Sequence, residues 1–150
     1  MVDYKGKLYA GTDANAATFG TVLVREPSTG VWTTAYTGNV GTAKIQNGCY
    51  SLREFKGNLY AGFWNQDTPA ESYIVKFDNT SWSVPSSSYL LTTLPYIGMF
   101  EDKGYLYAIG GKSGLAAALI RSVDGTTWTD LTGFLSTDAS ATSVFGIIIL

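Results

Sequence analysis

The chain has 150 residues, 45% apolar and 14% aromatic, which suffices for one domain with a filled core and is too apolar for disorder. Only 15% are charged, and 10 Lys plus Arg stand against 12 Asp plus Glu with no basic cluster. Phosphate binding needs a concentrated positive face, so nucleic acid is not an expected partner.

The first residues, Met1-Val2-Asp3-Tyr4-Lys5-Gly6, already belong to a repeat and contain no basic region followed by an apolar stretch, so no signal peptide is visible. The repeated phrase follows at once. Tyr4-Lys5-Gly6-Lys7-Leu8-Tyr9-Ala10-Gly11 returns as Phe55-Lys56-Gly57-Asn58-Leu59-Tyr60-Ala61-Gly62, and again as Asp102-Lys103-Gly104-Tyr105-Leu106-Tyr107-Ala108. Each copy reads as a hairpin, two apolar runs around a Gly turn. An alternating strand comes next, containing Thr21-Val22-Leu23-Val24-Arg25, Tyr73-Ile74-Val75-Lys76-Phe77 and Ala118-Leu119-Ile120-Arg121-Ser122. Polar turns then lead to Trp32, Trp82 and Trp128. Two markers keep one period, so the unit is four short strands in about 48 residues. No window carries helical spacing over ten or more positions.

Four antiparallel strands per repeat of this length are the signature of a β-propeller blade. The expectation is an all-β chain of three blades, approximately 1–48, 49–98 and 99–150. Ser122-Val123-Asp124-Gly125-Thr126-Thr127-Trp128 resembles the Asp-box of sialidase-type propellers, one residue shorter than its usual form. The phrase around Leu-Tyr-Ala-Gly is similar to repeats of kelch-like and tachylectin-like propellers. The resemblance implies the fold and no activity. In Asp-box families the turn is structural, with Asp and Ser bonding the hairpin and Trp beneath it. Catalysis there uses an arginine cluster and a Tyr/Glu pair that no residue here matches; Arg25 and Arg121 carry repeat register, and Arg53 sits near a turn.

Three blades do not close a ring. Residues 141–150 align with a first strand that has nothing after it, while residues 1–4 supply only half of one. Two copies head to tail would make six blades, the tail of each completing the first blade of the other. An obligate homodimer with strand exchange is therefore expected; the alternative is half of a longer six- or seven-bladed chain.

The usual acyl-transfer and zinc chemistries have no visible carrier and no cofactor is expected, since there is no His and a single Cys49, expected as a small buried apolar residue; carboxylate pairs remain open, with Glu101 and Asp102 beside Lys103 read as a solvated hairpin tip. The repeated Trp32, Trp82 and Trp128, with Tyr9, Tyr60 and Tyr107, are expected to pack blade on blade. What breaks the repeat is more informative. The loops between second and third strands share no sequence, and Trp64 has no counterpart. Trp64, Asn65, Asp67, Asp13, Asn15 and Lys112 are the candidate ligand contacts. The leading reading is a non-enzymatic binding propeller that recognises a small polar ligand, such as a glycan, or a protein on its loop-rich face. The alternatives are a sialidase-like hydrolase or lyase, and an assembly protein. No apolar run is long enough to span a bilayer, so no membrane partner is expected, and the compartment is the cytoplasm by default.

Overall fold

A computed structural model of the chain describes residues 1–13, 19–38, 48–65, 71–85, 96–110 and 118–131. Twelve strands follow in order: β1 (Val2–Tyr4), β2 (Lys7–Gly11), β3 (Thr21–Arg25), β4 (Trp32–Thr37), β5 (Gly48–Phe55), β6 (Asn58–Asn65), β7 (Glu71–Phe77), β8 (Trp82–Ser83), β9 (Tyr96–Asp102), β10 (Tyr105–Gly110), β11 (Ala118–Ser122) and β12 (Trp128–Asp130). They form three four-stranded antiparallel sheets, each in chain order: β1 to β4, β5 to β8 and β9 to β12. The described residues contain no helix.

The first two strands of each sheet meet at the repeated Lys-Gly turn. Lys5, Lys56 and Lys103 take φ near +50° (50, 48 and 48°), and the following Gly6, Gly57 and Gly104 take 74, 73 and 78°. Positive φ at both central residues is the hairpin turn whose twist matches its strands, and glycine carries it without a Cβ penalty. This turn fixes register. Leu8 lies opposite Arg25, Leu59 opposite Phe77 and Leu106 opposite Ser122, while Trp32, Trp82 and Trp128 pair with that same third-strand residue.

The middle sheet is covered on both faces because its strands carry apolar residues at both parities. Leu59, Ala61, Phe63, Tyr73 and Val75 share a buried cluster with Tyr4, Tyr9 and Val22 of the first sheet. On the opposite face, Phe55, Tyr60 and Ile74 cluster with Leu106, Ala108, Ile120 and Trp128 of the third. The hydroxyl of Tyr4 adds a polar tie, 2.7 Å from the Gly57 carbonyl and 2.7 Å from Asn79 Oδ1.

Three sequence expectations change here. The repeated tryptophans are not equivalent: Trp128 is buried, Trp82 is half-buried on Phe77 and Tyr36, and Trp32 is 39% exposed. The repeated tyrosines also differ, since Tyr9 and Tyr60 are buried and Tyr107 only half so. A side chain aimed at a neighbouring sheet is covered only where that sheet exists. Finally, Phe63, Trp64 and Asn65 do not belong to a loop, because β6 continues through them, pairing Phe63 with Tyr73, Trp64 with Ser72 and Asn65 with Glu71. The closing strand proposed for residues 141–150 lies outside the described residues.

Candidate functional site

Strands in chain order put the first-to-second and third-to-fourth turns at one end of every sheet, and the remaining connections at the other. At that second end the ladder between β5 and β6 slips. Cys49 pairs with Phe63 and Ser51 with Gly62, so Tyr50 is one residue too many. Such a bulge bends its strand and re-aims a side chain. Tyr50 turns toward the first sheet, where its hydroxyl donates to Asp13 Oδ1 at 3.1 Å. Asp13 is held there by a backbone bridge to Gly48, and the amide of Cys49 donates to the Thr12 carbonyl at 2.9 Å.

The ring of Tyr50 also lies 5.8 Å from that of Trp64, tilted by 59°. Tyr50 is 40% exposed, Asp13 is exposed and Trp64 half-buried. Burial first, then the bond to Asp13, pushes the Tyr50 phenol up to about 12. The phenol therefore stays protonated at neutral pH, a donor toward the carboxylate and an aromatic face toward solvent. An aromatic ring beside a carboxylate can stack on the apolar face of a sugar ring while the carboxylate accepts from its hydroxyls.

Two of the six sequence candidates, Asp13 and Trp64, thus meet around a residue that had not been singled out. Asn65 takes part in β6 through its backbone. Asn15, Asp67 and Lys112 lie outside the described residues. No sequence signal pointed to Tyr50: the repeat aligns it with Ile97, which a matching slip between Ile109 and Gly110 skips in the third sheet. The bulge recurs, whereas the tyrosine does not.

A second concavity of about 340 Å³ opens at the other end, between the first strands of the three sheets. Asp3, Glu54 and Glu101 line it, residues that share register because they face Leu8, Leu59 and Leu106. Arg53 and Lys56 are its cations. Lys56 is engaged already, donating to the Val123 carbonyl at 2.7 Å. Among the described residues no group of three or more His, Cys, Asp or Glu could hold a metal ion. Cys49 is buried, and burial pushes its thiol up to about 12, away from nucleophilic use. No helix among the described residues is long and apolar enough to cross a membrane. No protein-family model matches the chain, and no curated protein matches it.

Proposed function

We propose that the three sheets are blades of a β-propeller and that the protein is a binding module, with Tyr50, Trp64 and Asp13 contacting a small polar ligand of glycan type at the loop-bearing end. The observation that carries the reading is the bulge that brings Tyr50 onto Asp13 and Trp64. Two tilted rings with an acceptor beside them suit a polyhydroxylated ring, whereas glycoside cleavage by the usual pair of carboxylates would need a second acid beside Asp13. The single arginine in the opposite cleft also favours binding, since a sialidase-like centre would need several.

Two copies placed head to tail supply six blades. In support, neighbouring sheets within the chain pack through one recurring pair of faces, which two copies placed head to tail would continue. Glycan-array screening of the wild type, Tyr50→Ala and Trp64→Ala tests the ligand reading. A bound glycan whose signal falls by about tenfold or more in Tyr50→Ala supports it, on the scale of one contact aromatic. Absence of binding, or signals equal in all three proteins, overturns it.

A further inference from the structure

Register makes the three sheets comparable position by position. In the second, Leu59, Ala61 and Val75 face the first sheet and are fully buried; in the third, Leu106, Ala108 and Ile120 face the second and are fully buried. Their counterparts in the first sheet are Leu8, Ala10 and Leu23, beside Trp32. No described sheet covers that quartet, so the three aliphatic residues are only partly buried and Trp32 is 39% exposed. The third sheet shows the reverse. Tyr107, counterpart of the buried Tyr9 and Tyr60, is half-buried and stacks on Phe100 at 4.9 Å. No described sheet packs on either end of the stack; on the Tyr107 face Ile109 and Leu119 are nonetheless buried, and Tyr107 itself stays half open.

One pair of charges on these two faces is complementary, and the Tyr107 face also carries Arg121, whose guanidinium lies 4.7 Å from the centre of the Tyr105 ring. At the junction of first and second sheets, Tyr4 and Tyr9 both approach Phe77, with ring centroids 6.3 and 6.5 Å apart. The counterpart of Phe77 in the first sheet is Arg25, which lies opposite Leu8 as Phe77 lies opposite Leu59. The counterpart of Tyr4 in the third sheet is Asp102, which precedes its Lys-Gly turn and pairs with Tyr105 as Tyr4 pairs with Lys7. An aromatic contact inside the chain thus becomes an aspartate and an arginine at its two ends.

We infer that the uncovered face of the first sheet, Leu8, Ala10, Leu23 and Trp32, docks the Tyr107 face of the third sheet of a second copy, with Asp102 of one copy paired to Arg25 of the other. Because the junction repeats the one between sheets of a single chain, the same packing continues across it. In a closed pair the contact forms twice. This rests on the head-to-tail pairing proposed above and names the faces that make it.

Sedimentation equilibrium of the wild type, Arg25→Asp, Asp102→Arg and an equimolar mixture of the two variants tests it. The wild type is dimeric, and each variant alone sets like charges together at both junctions, raising the dissociation constant by about tenfold or more. In the mixture each junction of a mixed dimer again holds one acid and one base, so affinity returns to near the wild-type value. Recovery also shows that both variants fold. A monomeric wild type overturns the docking and the six-blade pair together. A dimeric wild type overturns the docking alone if the single variants match it, or if the mixture stays as weak as its components.

Discussion

The hydroxyl of Tyr60 lies against the backbone of Gly125, so that a Cβ built on Gly125 would overlap it. That hydroxyl is buried and has no hydrogen-bond partner among the described residues, while Gly125 sits at φ +73°. Gly57 has the same φ of +73° and open space around it. The two glycines therefore separate backbone strain from crowding. Gly57→Ala is expected to cost about 1 kcal/mol, the left-handed penalty alone. Gly125→Ala should cost about 3 kcal/mol, with overpacking added. Tyr60→Phe should be neutral or mildly stabilising and should recover part of the Gly125→Ala loss. Urea unfolding of the four variants measures these differences.

Asp124 organises the turn that contains Gly125. Its carboxylate accepts from the amides of Thr127 and Thr126 at 2.7 Å each, and from the Ser122 hydroxyl at 2.9 Å. These bonds, the Thr127 amide foremost, hold its carboxyl well below the usual carboxylate range. A depressed folded-state value means that the ion stabilises the fold above the unfolded pKa of about 3.9, and that this contribution is lost as pH falls toward the folded value. Denaturant midpoints should therefore decline between about pH 5 and pH 2. Asp124→Asn should flatten the decline; an unchanged slope would show that other carboxylates carry it.

At the candidate site the phenol of Tyr50 is raised to about 12 by burial first and Asp13 second. Folding favours its neutral form, so the contribution is complete below the unfolded pKa near 10 and vanishes as pH rises through about 12. The difference between the ultraviolet titrations of wild type and Tyr50→Phe isolates this one phenol. Asp13→Asn removes a charge and an acceptor, and should bring the Tyr50 transition to lower pH.

Cys49 offers a test of the junction between the first two sheets. Its side chain is 7% exposed, in the cluster with Tyr9, Phe63 and Tyr73. With its thiol pushed up to about 12, it should resist a disulfide reagent at pH 8 in the native protein and react once per chain in denaturant. Rapid native labelling would mean that β5 opens locally.

The three equivalent leucines should not respond alike. Leu59→Ala and Leu106→Ala, at fully buried positions, are expected to cost about 2–5 kcal/mol each. Leu8→Ala should cost about 1 kcal/mol at concentrations where the chain is monomeric, because less apolar surface is lost. Equal losses at all three positions would mean that Leu8 is covered within one chain.

Sequence alone determined the all-β class, the repeating four-strand unit and the turn that joins the first two strands of each sheet. Those features are local. Lys-Gly at positive φ sets a hairpin wherever it occurs, and alternation along Leu59-Tyr60-Ala61 assigns each side chain to a face before any partner is known. Asp13 and Trp64 could be picked out because they break the repeat. Tertiary structure decided what depends on a neighbour. Whether Trp32 or Trp128 is covered turns on which sheet lies opposite, and repetition makes the two look identical. Tyr50 reaches Asp13 only because β5 and β6 slip by one residue, a matter of pairing that no residue in β5 announces. Trp64 belongs to a strand because β7 is long enough to pair with it. A side chain's direction is written in its own strand, but its burial and its contacts are properties of the surface it meets.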